Sequence, residues 1–258
     1  MQRLTKIAPG VLSATAEYAT TTSTVVTAPD GGCLVIDPGV SVADLAGLAA
    51  DLAAAGLTPR AGFATHPHWD HVLWSAALGD VPRYAAPAAV AIWPEIREES
   101  LRYLQEAAPG HDLSLVAALT PLPDDAAAIP WDGPAAQLII HDGHAPGHGA
   151  VFLPGAGVLV AGDMLSDIEI PLLDTEAGDP LGDYVAGLDR LAAVTGARVL
   201  IPGHGHPGDA AELRRRIDAD RRYLDLLAAG RPFDDPRAAG GWLRDTHQQQ
   251  LDYVTSHR

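Results

Sequence analysis

The stretch His66-Pro67-His68-Trp69-Asp70-His71 decides how this chain is read. Of eleven histidines, three fall within these six residues and bracket one carboxylate. A lone histidine is ordinarily a core or surface residue. Three with an aspartate in one turn form a set of nitrogen and oxygen donors that suits zinc, and also iron or manganese. The motif follows a short apolar run, residues 61–65, which reads as a strand. In extended backbone, residues two apart point the same way, so His66 and His68 can reach one metal together. Pro67 restricts His66 to extended backbone. Asp70 and His71 come a turn later, where the chain is expected to enter a helix running to about Leu78, and they can face a second metal.

One such motif cannot saturate two ions. Further donors stand in similar surroundings, in Ala145-Pro146-Gly147-His148, Ala161-Gly162-Asp163 and Pro202-Gly203-His204-Gly205. Each adjoins a glycine that lets the backbone come close. Around them lies a second set of candidates. Asp37 is a partner that could hold a ligand histidine, or an Asp-Pro-Gly turn that ends a strand. His144 and His206 are placed to contact substrate or support a ligand, although solvated loop histidines account for them as well. Tyr184 can donate to substrate or simply pack. Trp69 is expected at the pocket mouth, and Trp93, with Tyr103 and Leu104, either lines the pocket or packs a helix onto the core.

The rest of the chain reads as an α/β alternation. Strands are expected over residues 11–18, 23–28 and 33–37, around Tyr84, and over 137–141, 150–153, 158–161 and 198–201. Ser41 caps an Ala/Leu-rich helix with Asp44 in its first turn and Gly56 beyond its end. Further helices are expected over 87–107 (with a break at Pro94), 183–194, 209–229 and 235–254, the last interrupted at Gly240-Gly241. Residues 87–134 are long for a connector and are read as a helical cap over the metal edge, within a single domain spanning 1–258 that closes with the helices of 209–258. The candidate ligands follow short apolar strands, where rigid elements hold functional loops in register.

Composition narrows the classes of function. Seventeen basic residues against 33 acidic ones give a formal charge of −16, a surface that repels phosphate backbones and disfavours nucleic acid as a partner. No apolar run reaches the ~20 residues of a membrane span, and the first residues do not read as an export signal. The single cysteine, Cys33, forms no internal disulfide, and a cytoplasmic protein acting on a small molecule is the expectation. Oligomeric state has no readable code.

The order His66-x-His68-x-Asp70-His71, Pro146-Gly147-His148, Gly162-Asp163 and Pro202-Gly203-His204, preceded by Leu34-Val35-Ile36-Asp37-Pro38-Gly39, resembles the metallo-β-lactamase superfamily. The resemblance implies a four-layer αββα sandwich with two divalent metals, most often Zn2+, at one edge of its two sheets. It implies that His66, His68 and His148 hold one metal, that Asp70, His71 and His204 hold the second, and that Asp163 bridges them. The implied chemistry is hydrolysis of an ester, thioester, lactone or amide-like bond by a metal-bridging hydroxide, with Asp70 as the catalytic residue that orients it. The set with Asp163 is closer to hydroxyacylglutathione hydrolases and lactonases than to antibiotic-hydrolysing members, although no Lys/Arg cluster for a glutathione thioester is evident. A mononuclear-iron oxygenase of the persulfide dioxygenase type and a catalytically silent metal-binding scaffold are the alternatives. Val72-Leu73-Trp74, where many members are small or glycine-rich, is expected to give a tight apolar pocket wall.

Overall fold

The computed structural model describes residues 3–231, 235–238 and 241–256. Its first sheet joins β1 (Thr5–Ala8), β2 (Val11–Thr15), β3 (Thr22–Thr27), β4 (Gly32–Ile36), β5 (Thr58–Phe63), β6 (Arg83–Ala85) and β7 (Thr120–Pro121) in sequential order. The early pairs are antiparallel, whereas β4 through β7 pair in parallel. Helices α1 (Val42–Ala54) and α2 (Pro87–Ala107) supply crossovers in that parallel half. The second sheet joins β8 (Gln137–His141), β9 (His148–Leu153), β10 (Val158–Val160), β11 (Val199–Ile201) and β12 (Gly208–Asp209) in the order β12-β11-β10-β9-β8. Around it lie α3 (Pro180–Ala192), α4 (Ala210–Ala228) and α5 (Gly241–Ser256).

Strand alternation sorts the side chains into layers. In β4, Cys33 and Val35 face Leu45, Leu48 and Leu52 of α1 and Ala89 and Leu104 of α2. Their neighbours Leu34 and Ile36 face the other way, onto Val151, Leu153, Val158, Val160 and Ile201 of the second sheet. The far side of that sheet, with Ala150, Leu159 and Leu200, buries Tyr184, Leu188 and Leu191 of α3 and Leu213, Ile217 and Leu224 of α4. The result is the αββα sandwich.

Local signals set several element ends. Ser41 and Asp44 form a reciprocal capping box at α1, which satisfies two backbone donors that the first turn leaves free. Asp179 caps α3 ahead of Pro180, and Asp209 caps α4. Three expectations need correction. The residues after His71 form no helix, only a 3-10 turn over Ala76–Leu78. Val72, Leu73 and Trp74 are all buried in the cluster under α1 and α2, so they build core instead of a pocket wall. The supposed cap over 87–134 is in its helical part a layer helix. Helix α2 runs unbroken through Pro94 and buries Ala89, Ser100 and Leu104, with Trp93 packed partly against the same cluster and Tyr103 exposed. The C-terminal stretch divides into a 3-10 turn at Pro236–Ala238 and α5, while Gly240 and His257 lie outside the described residues. No helix among the described residues is long and apolar enough to cross a membrane.

Helix α5 is tied to the loop after Asp163 by Gln250, which is buried. Its Oε1 accepts from the Leu173 N–H at 2.6 Å, and its Nε2 donates to the Pro171 carbonyl at 3.1 Å and to the Tyr223 hydroxyl at 2.7 Å. Gln250→Ala leaves a buried backbone N–H and carbonyl without these partners. We expect it to cost about 1–3 kcal/mol of stability in urea denaturation with the secondary structure retained. An unchanged midpoint would show that Gln250 is not a tie.

Candidate metal centre

The ends of both sheets deliver their polar side chains to one point. His66 and His68 follow β5, His144 sits on the loop between β8 and β9, and Asp163 follows β10. Their donor atoms form one group. His66 Nε2 and His144 Nε2 each lie 3.0 Å from His68 Nδ1, and Asp163 Oδ2 lies 3.3 Å from His66 Nε2 and 3.4 Å from His144 Nε2. Asp70, His71 and His204 form a second group. His71 Nε2 and His204 Nε2 are 3.3 Å apart, and Asp70 Oδ2 is 3.4 Å from His204 Nε2 and 3.6 Å from His71 Nε2. Asp163 joins the groups: its Oδ1 is 3.2 Å from His71 Nε2 and its Oδ2 is 3.2 Å from His204 Nε2.

These residues fit metal ions. Tetrahedral ligands about 2.0–2.1 Å from zinc stand ~3.3 Å from one another, which is the spacing found here. Asp163 Oδ1 is fully buried and makes no well-formed hydrogen bond, with His71 Nε2 at 3.2 Å as its nearby charge partner, a setting that favours a cation at the oxygen.

The outer nitrogens explain why the inner ones converge. His71 Nδ1 donates to Asp37 Oδ2 at 3.0 Å, His144 Nδ1 to the Leu172 carbonyl at 3.1 Å, and His204 Nδ1 to the Ala19 carbonyl at 3.1 Å. Thr65 Oγ1 gives its proton to Asp37 Oδ2 at 2.7 Å, so it accepts from His66 Nδ1 at 2.9 Å. Each contact orients Nε2 of its ring inward. Asp37 thus holds His71 directly and His66 through Thr65. Strain concentrates here: Ala19, Thr20, Asp37, His144 and Leu165 all have positive φ without being glycine, a backbone state that side chains tolerate only when the surroundings impose it. Two glycines are required by close approach. A Cβ at Gly162 would lie 2.4 Å from His148 Nε2, and one at Gly203 would lie 2.0 Å from Asp163 Oδ1.

The sequence pattern places His148 beside His66 and His68, and the structure puts His144 there instead. His148 opens β9 and pairs across the hairpin with His141. Its ring lies between those of His141, at 4.6 Å, and His66, at 5.2 Å. Its Nε2 accepts from the backbone N–H of Asp163 at 3.1 Å and its Nδ1 faces His141 Nε2 at 3.2 Å. A ring nitrogen that accepts a backbone proton has no lone pair left for a metal. In this structure Nε2 of His148 is therefore taken up by the Asp163 backbone, and His144 stands with His66, His68 and Asp163.

The other candidates separate. His206 is exposed and pairs with Asp167 at 2.9 Å, outside both groups. Tyr184 is buried in the cluster under α3 and α4. Trp69 is partly buried and meets the exposed Tyr18 edge-on at 5.2 Å. Sequence reasoning missed Tyr18 and the turn over Tyr18–Thr20 that holds His204, because nothing local marks residues recruited from distant loops.

Burial pushes the His66 and His148 rings well below the usual imidazole range and His68 down to about 3. They are neutral at pH 7, as His66 and His68 must be to bind a metal. Burial also opposes charge on His71 and His204, but the Asp163 and Asp70 carboxylates outweigh it and hold both well above the usual range. For Asp70 and Asp163, burial favours the neutral acid, and the surrounding histidines overcome it. Both remain carboxylates.

The chain matches the metallo-beta-lactamase superfamily over residues 19–204. It belongs to that superfamily. Among solved structures it is similar to the metallo-beta-lactamase family protein TTHA1429 from Thermus thermophilus, with 26% identity, 87% of this chain and 83% of that chain covered, and a TM-score of 0.66. It is also similar to TTHA1623 in a di-iron-bound form, with 26% identity, 79% and 97% covered, and a TM-score of 0.62. For the BLEG-1 B3 metallo-beta-lactamase the values are 20%, 78% and 95%, and 0.59, a likeness of fold. No curated protein matches the chain.

The superfamily site can be probed by its metal content and by its protons. His144→Ala is expected to lose about one of two equivalents of divalent metal, whereas His148→Ala retains both with affinity weakened about 10–100-fold. Metal analysis after dialysis distinguishes them, and the reverse order would restore His148 as the ligand. The Asp163 and Asp70 carboxylates raise the proton affinity of His71 and His204 in the metal-free protein, so a metal competes with protons at these rings. Metal binding should release protons and weaken as pH falls, which calorimetry in buffers of different ionisation enthalpy measures.

Proposed function

We propose that this chain is a dinuclear-metal-dependent hydrolase. In it His66, His68 and His144 hold one divalent ion, Asp70, His71 and His204 hold the other, and Asp163 bridges them. The observation that carries this reading is the single carboxylate of Asp163 standing 3.2–3.4 Å from histidines of both groups. When bound, such a pair of ions lowers the pKa of water toward ~7 and polarises a carbonyl oxygen.

The chain's own residues do the rest. Asp70 is the catalytic residue: its carboxylate, held at His71 and His204, accepts a hydrogen bond from the attacking water and aims it at the carbonyl carbon. Asp37 and Thr65 keep His71 and His66 in the ring orientations the ions need. The His148 ring, which accepts the Asp163 N–H, fixes the backbone from which the bridging carboxylate extends. A small-molecule ester, thioester, lactone or amide-like bond is the proposed substrate, and the −16 charge supports this over nucleic acid. We keep the cytoplasm as the proposed location and zinc as the proposed metal.

Iron is the specific competitor, because the similar TTHA1623 was obtained with two irons. Metal analysis with an activity screen separates the readings. Two zinc per chain with turnover of generic esters or lactones supports hydrolysis, while one iron per chain with oxygen consumption overturns it in favour of an oxygenase. Asp70→Ala should fold, bind the second metal more weakly and lose at least about a hundredfold in kcat. Undiminished turnover would sink the assignment.

A further inference from the structure

The segment Gly203-His204-Gly205-His206 carries one donor of the second group and is held from two sides. On one side lies the connection between β2 and β3. Its Ala19 carbonyl accepts from His204 Nδ1 at 3.1 Å, and its Thr20 carbonyl accepts from the Gly205 N–H at 3.1 Å. The Thr22 N–H donates to the Gly203 carbonyl at 2.7 Å. On the other side lies the loop that leaves the bridging Asp163. Ser166 Oγ donates to the His204 carbonyl at 2.8 Å. Asp167 meets two groups of His206: its Oδ1 accepts from the backbone N–H at 2.8 Å, and its Oδ2 lies 2.9 Å from the ring Nδ1.

The approach of Asp167 is close enough to dictate a neighbour. Gly205 has a φ of +108°, and a Cβ there would lie 2.2 Å from Asp167 Oδ1 and 3.3 Å from Ser166 Oγ. Only glycine fits both the backbone and the space. Asp167 is also backed from behind. Arg216 Nη1 lies 3.6 Å from its Oδ1 and donates to the Leu165 carbonyl at 3.2 Å. Leu165 has positive φ, so a buried guanidinium holds the loop at its strained residue. The Asp167 side chain itself is 23% exposed, and truncating it leaves a gap that water can fill.

His204 is the member of the second group that the second sheet supplies, since Asp70 and His71 belong to the turn after β5. Its Nε2 stands 3.3 Å from His71 Nε2 and 3.4 Å from Asp70 Oδ2. Metal–ligand distances tolerate only about 0.2 Å. The setting of the loop after β11 against the loop after β10 therefore decides whether this group closes on an ion. Asp167 spans those two loops, and it makes no hydrogen bond or ion pair with His66, His68 or His144 among the described residues.

We propose that Asp167 is a positioning residue for the second metal. Its hold on His206 fixes the reach of His204, so losing it weakens the Asp70–His71–His204 site and spares the other. This rests on the metal-centre reading above.

Metal binding tests the assignment without a substrate. Cobalt(II) is titrated into the metal-free full chain and followed by its visible absorption. In a His144→Ala background, which leaves the second group intact, Asp167→Ala should weaken cobalt binding about tenfold. In a His204→Ala background there is no ring left to position, and the same substitution should change cobalt binding by less than about twofold. Weakening that persists in the His204→Ala background, or none in the His144→Ala background, overturns the inference and leaves the metal centre standing. The metal-free Asp167→Ala chain should keep the wild-type circular dichroism. One that fails to fold also overturns the inference, because the carboxylate then serves the fold and not the ligand. A wild-type chain that takes up no divalent metal removes the metal-centre reading and this inference together.

Discussion

The carboxylate of Asp163 is the constraint around which the rest of the site is arranged. It lies between four imidazoles, two from the first sheet's His66–His71 turn and two from loops of the second sheet. A buried carboxylate oxygen without a hydrogen bond costs free energy, so everything near it serves to supply positive charge or to hold the groups that do. Asp37 at positive φ, the His148–His141 pair and the two glycines at 162 and 203 have their strain and close approach explained by this requirement. The sandwich brings the strand ends of two sheets together at one edge, and Asp163 is where they meet.

The electrostatics are divided in a useful way. His66, His68 and His148 stay neutral because burial is unopposed by enough negative charge, while the two aspartates raise the proton affinity of His71 and His204.

The outer architecture contributes by immobilising loops. Arg237 and Gln250, both from the C-terminal region, hold the segment between Asp163 and α3 through backbone groups at Ser166, Pro171 and Leu173. Helix α2, which sequence length alone suggested as a cap, packs Ala89 and Leu104 into the core beneath the first sheet. Its periodicity was visible, but an apolar stripe on a helix does not say which surface it covers.

By itself the sequence determined the family, the layered α/β alternation, most strand positions, the cap of α1, and six of the seven residues in the two donor groups. These are local matters: hydrophobic period, capping residues and ligand spacing along one strand-end turn. It did not determine the seventh. His144 and His148 flank Ala-Pro-Gly four residues apart, and either could serve by spacing. The choice was made by strand pairing, because β8 and β9 place His148 opposite His141 and turn its Nε2 toward the Asp163 N–H, leaving the hairpin tip to present His144. Tyr18 was likewise invisible, since its contact with Trp69 and the tie of its turn to His204 arise from chain segments that only the folded sandwich brings together.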